Sequence, residues 1–283
     1  MHPSQTAAVL QRFGFRFSRD RGQNFLVDPN VLAKIVGAAE LTPENIVLEI
    51  GAGIGTLTEA LAALAAQVIT VEIDRKLAPI LAHTLSGINN VTVLRMDAMD
   101  LSLSEVSASG RPPDRMVSNL PYGIAAPALL KIFSEFPSVT RVVAMVQREI
   151  ADRIMAKPRT KTYSAFTVKL RYFAAADFIA PVSKHVFMPP PNVDSAIVRL
   201  SRWERPPIDV DQARLFSVVT AGFSQRRKQL VNTLVSSGLA VSKNAAEQSM
   251  ADAGLERRAR AEDLSLTDFA VLTKLLDSGG RSI

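Results

Sequence analysis

Residues 46–66 read IVLEIGAGIGTLTEALAALAA, and this stretch decides the fold. Its first five residues form an apolar run rich in β-branched side chains, which predicts a buried strand. Gly51, Gly53 and Gly55 follow at once and let the backbone pass close to a ligand. A helical pattern over 56–66 completes the unit. A strand, a glycine-rich turn and a helix in this order are typical of α/β folds that bind a nucleotide-like cofactor.

Further strands and helices alternate from this stretch to about residue 203, which predicts a parallel sheet covered by helices on both faces. The predicted strands after the first lie at 68–73, 91–96, 116–118, 141–146, 177–180 and 196–200. The predicted helices lie at 75–86, 125–136, 148–156 and 165–172, and residues 102–113 read as a loop. Beyond residue 203 only helical patterns remain. We therefore expect an α/β domain over residues 1–203 and a small helical domain over 204–283.

The tetrapeptide Asn119-Leu120-Pro121-Tyr122 follows the predicted strand 116–118. An exocyclic base amine has its lone pair delocalised into the ring, so a transferase must accept hydrogen bonds from both amine hydrogens. Asn119 offers an amide oxygen. Leu120, held extended by the proline after it, offers a free carbonyl. Because the Tyr122 ring can stack on a base taken out of its stack, the tetrapeptide predicts methyl transfer to an adenine N6.

Two cofactor classes compete for the glycine turn. The dinucleotide fingerprint G-x-G-x-x-G requires glycine at position 56, where this chain has Thr56, and this favours S-adenosylmethionine over NAD. Glu72 and Asp97 end the second and third predicted strands, where they can hold the ribose hydroxyls and the adenine amine of the cofactor. A solitary acid at a strand end is more often simply exposed, but the joint order of these motifs favours a cofactor site.

Composition limits the other function classes. The chain has 283 residues, 47% of them hydrophobic, and no cysteine, which excludes disulfides, thiolate catalysis and cysteine-ligated zinc. The three histidines are scattered, so we expect no metal site. No apolar run approaches the roughly 20 residues that span a bilayer, and no signal-type segment is present. We therefore expect a cytoplasmic protein with no membrane partner.

The net charge of +6 is concentrated in clusters. Residues 148–171 contain seven basic and two acidic side chains, and a second cluster lies at 226–228. Such clusters suit a phosphate backbone, although each is equally compatible with the solvated face of a helix. The candidates for RNA contact are Arg148, Lys157, Arg159, Lys161, Arg226, Arg227 and Lys228. We also expect residues 1–11 to be mobile in the absence of RNA.

Several motifs together resemble one known family. They are GQNFL (22–26), VLEIGAGIGTLT (47–58), VEID (71–74), DAM (97–99), SNLPYGIAAP (118–127), VFMPPPNVDS (186–195) and FSQRRKQL (223–230). The set is similar to the ribosomal RNA adenine dimethyltransferases of the KsgA/RsmA type. The resemblance implies a Rossmann-like class I S-adenosylmethionine-dependent methyltransferase with a small C-terminal helical domain. It also implies dimethylation of two adjacent adenosines near the 3′ end of 16S rRNA, within an immature small ribosomal subunit.

The resemblance also implies which residues form the site. The cofactor contacts would be Asn24, Leu26, Gly51, Gly53, Glu72, Asp97 and Asn119. The catalytic residues would be Asn119, Leu120, Tyr122 and Phe187, with the target adenine between the rings of Tyr122 and Phe187. For Phe187 the alternative is ordinary core packing, and the prolines after it favour the pocket. We expect the protein to act as a monomer.

Three alternatives remain open at this point. The first is the related transferase that methylates large-subunit RNA and gives macrolide resistance, and the second is a DNA adenine methyltransferase. The third is a ribosome-assembly checkpoint in which binding to the small subunit matters more than catalysis. Leu120 and Pro127 favour the small-subunit enzyme over the first alternative.

Overall fold

The computed structural model of the chain describes residues 3–17, 23–108, 110–225 and 227–279. They group into two compact units. The first unit comprises Met1–Ala151 and Ala175–Arg202, and the second comprises Asp152–Ala174 and Trp203–Ile283. The expected division after residue 203 therefore needs one correction, because residues 152–174 group with the C-terminal helices and not with the sheet.

The described residues contain nine strands. They are β1 (Phe25–Leu26), β2 (Ile46–Ile50), β3 (Gln67–Val71), β4 (Val91–Leu94), β5 (Arg115–Asn119), β6 (Arg141–Gln147), β7 (Ala174–Val182), β8 (Phe187–Met188) and β9 (Ser195–Arg202). Seven of these strands form one sheet in the order β4-β3-β2-β5-β6-β9-β7. Every neighbouring pair from β4 to β6 is parallel, and β9 runs antiparallel to β6. The α/β class predicted from the sequence is confirmed.

The strand order positions the site. From β2 the chain moves outward through β3 to β4, then returns to place β5 on the other side of β2 and moves outward again to β6. The order therefore reverses between β2 and β5. In open parallel sheets, ligands bind outside the carboxyl ends of the strands at such a point. Here those ends carry Gly51 and Asn119.

Seven α-helices begin in the first unit: α1 (Pro3–Arg12), α2 (Pro29–Ala39), α3 (Thr56–Ala62), α4 (Ala78–Thr84), α5 (Leu103–Ser107), α6 (Ala125–Glu135) and α7 (Arg148–Met155). The apolar core of this unit includes Ile35, Val47, Leu61, Val68 and Val143, each fully buried. Every side chain of β2 is buried, as expected for a central parallel strand. Its residues are accordingly apolar, with the exception of Glu49.

Three short elements of the first unit differ from the expectation. The predicted loop 102–113 contains α5, which begins with a capping box between Ser102 and Glu105. The segment around Phe187, where the sequence predicted no strand, forms β8, which pairs with β1. Of the residues expected to be mobile, 3–11 lie in α1, whose Thr6 and Leu10 are buried, and 1–2 lie outside the described residues.

The second unit contains the remaining α-helices of the described chain: α8 (Ala165–Phe173), α9 (Gln212–Phe223), α10 (Leu230–Ser236), α11 (Lys243–Asp252) and α12 (Leu266–Gly279). Tyr163, just before α8, is 1% exposed, and its hydroxyl donates to the Leu264 carbonyl at 2.8 Å. Its ring centroid lies 6.0 Å from that of Phe223. This packing explains why residues 152–174 belong with the later helices.

The described residues contain neither a membrane-spanning helix nor a cluster of metal ligands. Within those ranges, the helices are too short or too polar for any to traverse a bilayer. The same ranges hold no group of three or more histidine, aspartate or glutamate side chains arranged to bind a metal ion.

Candidate active site

A cavity of about 290 Å³ opens at the switch point of the first unit. Its wall contains the glycine turn, the ends of β3, β4 and β5, and the residues around β1. The sequence-predicted site residues among its lining are Asn24, Leu26, Gly51, Gly53, Glu72, Asp97, Asn119, Leu120 and Tyr122. The fold therefore brings nine residues from separate motifs to one cavity.

Asn119 and Leu120 reach the cavity from the end of β5. The Asn119 amide nitrogen donates to the Asn24 carbonyl at 3.4 Å, so the amide oxygen faces away from that contact. No other hydrogen bond of the Asn119 side chain occurs within the described residues. The Leu120 side chain is 1% exposed and its N–H donates to the Met145 carbonyl at 3.1 Å. The Leu120 carbonyl accepts no hydrogen bond in the described part of the chain, and both Asn119 and Leu120 are among the residues that line the cavity.

The glycine turn packs directly against the tetrapeptide. Gly51 has φ +84°, and a Cβ there would lie 3.2 Å from Cγ and Cδ of Pro121. Gly53 has φ +59°, and its Cβ would lie 3.2 Å from the Phe25 ring. A side chain at either position would therefore be strained and crowded. The absence of side chains keeps the turn, the tetrapeptide and β1 in contact around the cavity.

Two predicted cofactor ligands already accept backbone hydrogen bonds. Glu72 accepts from the N–H of Gly53 at 2.9 Å through one oxygen and from that of Asp74 at 2.8 Å through the other. Burial raises the pKa of Glu72. Asp97 accepts from the Met99 N–H at 2.8 Å through one oxygen. Because each carboxylate oxygen has a second lone pair, both side chains keep acceptor capacity for a ligand.

The sequence interpretation missed Glu49, a buried acid in the cavity wall. Its side chain is 1% exposed, and Oε2 accepts from the hydroxyls of Thr58 at 2.6 Å and Thr70 at 2.7 Å. Burial raises the pKa of Glu49 to about 7, against the lowering effect of the two hydroxyls, and nearby Glu72 adds to the rise. An acid inside an otherwise apolar strand was the signal that could have identified it.

The side chains that line the cavity include several acids. Four carboxylic acids line it, namely Glu49, Glu72, Asp74 and Asp97, whereas no lysine, arginine or histidine of the described chain does. Asp74 is held by a hydrogen bond from the Gln23 side chain at 2.6 Å. The Thr56 hydroxyl, also in the wall, is buried without a hydrogen-bond partner among the described residues. The cavity thus suits a cationic ligand that carries hydrogen-bonding groups.

The structure places Phe187 in the apolar core. Its side chain is 3% exposed, packs in the core cluster that includes Val31 and Ile35, and is not part of the described cavity wall. The pairing of β8 with β1 sets Phe187 opposite Leu26, which lines the cavity. The stacking of Phe187 on the target adenine stays a prediction.

The predicted RNA contacts lie in both units. In the first unit, the Arg148 guanidinium lies over the Phe178 ring at 5.3 Å. In the second unit, Lys157, Arg159, Lys161, Arg227 and Lys228 are exposed. Arg226 lies outside the described residues. The loop 157–161 is fixed at its centre, because the Arg159 N–H donates to the Glu262 carbonyl at 2.7 Å. The loop therefore presents its cations from an anchored backbone.

Comparison with curated proteins and solved structures gives consistent neighbours. "Ribosomal RNA small subunit methyltransferase A" of Geobacillus kaustophilus is 42% identical over 280 residues, which cover 97% of this chain and 96% of that protein. A dimethyladenosine transferase from Plasmodium falciparum superposes with a TM-score of 0.74 at 27% identity, covering 90% of this chain and 98% of that one. The 23S rRNA methyltransferase ErmE superposes with a TM-score of 0.67 at 31% identity, covering 90% of this chain and all of that one.

A family model agrees with these neighbours. The model for ribosomal RNA adenine dimethylase matches residues 14–278, which include most of both compact units and every motif in the cavity wall. This chain belongs to the ribosomal RNA adenine dimethylase family.

Proposed function

We propose that this protein transfers methyl groups from S-adenosylmethionine to N6 of two adjacent adenosines near the 3′ end of 16S rRNA, giving dimethyladenosine at both. One observation carries the proposal. The tetrapeptide that offers two neutral acceptors and an aromatic ring lies in the same cavity as the glycine turn and the strand-end acids. The RNA substrate class agrees with the names of the relatives.

The residues present fit S-adenosylmethionine. Its sulfonium and amine are cationic, and the cavity is lined by four acids and by no lysine, arginine or histidine of the described chain. Glu72, Asp97, Asn24 and Gly51 would hold the cofactor, and the unpartnered Thr56 hydroxyl offers a further hydrogen bond. When bound, S-adenosylmethionine supplies an electrophilic methyl group. NAD fits less well, because an acidic cavity repels its pyrophosphate and hydride transfer has no use for paired amine acceptors.

The residues of the chain act on the target amine by orientation and electrostatics. The Asn119 amide oxygen and the Leu120 carbonyl would accept the two N6 hydrogens and turn the nitrogen lone pair towards the methyl group. Positive charge develops on N6 during transfer, and the negative dipole ends of both oxygens would stabilise it. Such preorganised dipoles lower the barrier without reorganisation. No strong base is needed, because the alkylated nitrogen is acidic and loses its proton to water.

Recognition of RNA would rest on the exposed cations. Lys157, Arg159, Lys161, Arg227 and Lys228 suit phosphate contacts in the helical unit, and Arg226 joins them in sequence. We extend the proposal to a monomer that acts in the cytoplasm on an immature small subunit. Binding of that particle, as a checkpoint of assembly, is compatible with the same residues.

The test is a methylation assay with three RNA substrates. The purified chain is incubated with labelled S-adenosylmethionine and either naked 16S rRNA, small subunits from cells that lack this modification, or large subunits. Mass spectrometry of nuclease fragments then maps the methylated adenines. We expect two adjacent N6,N6-dimethyladenosines in small subunits. Methylation of the large subunit alone would overturn the proposal in favour of the macrolide-resistance type of activity, which the likeness to ErmE makes the second candidate.

A catalytically inactive variant separates catalysis from a checkpoint role. Asn119→Ala is expected to bind small subunits like the wild type and to transfer almost no methyl groups. If cells that carry only this variant assemble ribosomes normally while cells without the protein do not, binding is the dominant role.

A further inference from the structure

A hydrogen bond joins the tetrapeptide to a distant motif. The Tyr122 hydroxyl lies 2.6 Å from the Ser195 hydroxyl oxygen, within the first unit. Ser195 is 0% exposed and begins β9, whereas Tyr122 lies in the turn that follows β5. Burial raises the pKa of Tyr122, so its hydroxyl stays protonated and the contact persists at neutral pH. Neither motif alone shows this link in the sequence.

The Ser195 side of the contact is fixed by its surroundings. Ser195 pairs with Gln147 in the β6–β9 ladder. Its neighbour Asp194 accepts from the Arg148 N–H at 3.0 Å through the backbone and from the Lys184 N–H at 2.9 Å through the side chain. The serine therefore lies in a paired strand, and the residue before it is held by two hydrogen bonds.

The Tyr122 side has less support. Tyr122 is followed by Gly123, which is exposed, and around which an added Cβ would meet nothing within 4 Å. A tyrosine ring on such a turn can swing about its two side-chain torsions. A hydrogen bond at the far end of the ring restricts that motion at the atom where it is largest.

We propose that Ser195 is a positioning residue that holds the Tyr122 ring in the orientation needed to stack on the target adenine. The inference rests on the proposed function, since the ring needs a fixed orientation only if a base is to be stacked on it. A displacement of about 1 Å in the bound geometry can lower a rate about 10²-fold, so one hydrogen bond that orients the stacking ring affects turnover more than ligand affinity. The proposal gives the serine of VFMPPPNVDS a role in the active site.

The test is a double-mutant cycle on the full chain. Tyr122→Phe keeps the ring and removes the hydroxyl, and Ser195→Ala removes the other partner. Each single variant is expected to lower the single-turnover methylation rate about tenfold, the equivalent of one ordinary hydrogen bond. The dissociation constants for S-adenosylmethionine and RNA should stay within about twofold of the wild-type values. The double variant should lose no more than the worse single variant.

Matched controls separate positioning from folding. Ser138→Ala removes a buried hydroxyl that has no hydrogen-bond partner within the described residues, and it should keep the wild-type rate. Ser195→Thr retains the hydroxyl and should recover most of the rate. All rates are expressed per cofactor-binding site, so that a loss of folded protein does not count. If Ser195→Ala fails to fold, Tyr122→Phe alone must show the tenfold loss.

Three outcomes would overturn the inference. A wild-type rate in Tyr122→Phe or in Ser195→Ala would show that the contact has no role in turnover. Additive losses in the double variant would show that the two hydroxyls act separately. A wild-type chain that transfers no methyl group to any RNA would overturn the proposed function and this inference together, whereas the first two outcomes leave the function standing.

Discussion

The cavity of the first unit and the loop 157–161 of the second unit have opposite electrostatic character. The cavity is lined by four acids and by no cation of the described chain. The loop exposes Lys157, Arg159 and Lys161 around a backbone anchored to Glu262. For the proposed ligands, the acids of the cavity favour the sulfonium cofactor and the exposed cations of the loop favour RNA phosphates, whereas the target base would enter the cavity. We therefore expect variants of the cavity and of the loop to affect different ligands.

The two regions should also respond differently to salt and to pH. The loop is exposed, so its interactions with phosphate are screened by salt and depend on released counterions. The cavity is buried, so its interactions are screened little and depend on the protonation of its acids. Variants in each region can therefore be separated by what they leave unchanged.

The largest effect is expected from Asn119→Ala in the cavity. It removes one of two preorganised acceptors, and losing one such group lowers turnover on the order of 10²–10³. Cofactor affinity should fall by a smaller factor, and RNA affinity should be unchanged because the loop is intact. Single-turnover rates and separate binding titrations for the two ligands measure these quantities. Wild-type turnover in this variant would contradict the assignment of the cavity.

A variant of the loop 157–161 should lose RNA affinity and keep its cofactor affinity and its methylation rate. Replacing Lys157, Arg159 and Lys161 by alanine together is expected to weaken RNA binding about ten- to hundredfold at moderate salt. The slope of log affinity against log salt should fall by about 2 to 3, because each phosphate that is no longer neutralised lowers it by close to one. Cofactor affinity and the rate at saturating RNA should not change. Filter binding across a salt series measures the slope.

The control for the loop is Lys34→Ala, which removes an exposed lysine on α2. It should leave both the RNA affinity and its salt slope as they are in the wild type. An unchanged slope in the triple variant would mean that these three side chains are solvated and make no phosphate contact.

Glu49→Gln tests the pH response of the cavity. The pKa of Glu49 is raised to about 7, above its ordinary value of 4.5. As pH rises from 4.5 to 7 the unfolded chain loses this proton before the folded chain does, so the free energy of unfolding falls over that window. The glutamine variant lacks this fall. Without cofactor, we expect the stability of the variant relative to the wild type to increase by about 2 to 3 kcal/mol between pH 5 and pH 8.

Urea unfolding at several pH values measures this difference. Glu105→Gln is a suitable control, because Glu105 is exposed, and the hydroxyl and N–H of Ser102 lower its pKa. This control should show no comparable relative gain between pH 5 and pH 8. Parallel pH profiles for the wild type and Glu49→Gln would mean that Glu49 is not the titrating acid of the cavity.

The residues that meet at the cavity were easier to predict from the sequence than the packing of residues 152–174, for a physical reason. Gly51, Glu72, Asp97 and Asn119 each lie at or just after the end of a strand, and the carboxyl ends of parallel strands meet at one edge, so local patterns were enough to bring them together. The position of Phe187 could not be predicted in the same way, because an apolar ring suits both a core and a base pocket. Its place opposite Leu26 depends on the pairing of β8 with β1, two segments far apart in sequence.

The domain boundary failed for a related reason. Residues 152–174 lie between two strands of the sheet in sequence, so the order of the elements placed them in the first domain. Their membership of the second unit depends on packing such as that of Tyr163 near Leu264 and Phe223. A buried tyrosine in a polar segment gives no sequence signal of which residues bury it.

The smallest effect tests this packing. Tyr163→Phe removes a buried hydroxyl and leaves the Leu264 carbonyl without its donor, so we expect the free energy of unfolding to fall by about 1 to 2 kcal/mol. Tyr172→Phe is the matched control, because the Tyr172 hydroxyl makes no hydrogen bond within the described residues, and it should change stability by less than about 0.5 kcal/mol. Cofactor affinity should be unaffected in both variants, since both tyrosines belong to the second unit. A loss of cofactor binding in Tyr163→Phe at a temperature where the protein is folded would contradict the prediction that cofactor affinity does not depend on the second unit. Equal stability of the two variants would instead mean that the Tyr163 hydroxyl contributes nothing to holding residues 152–174 in the helical unit.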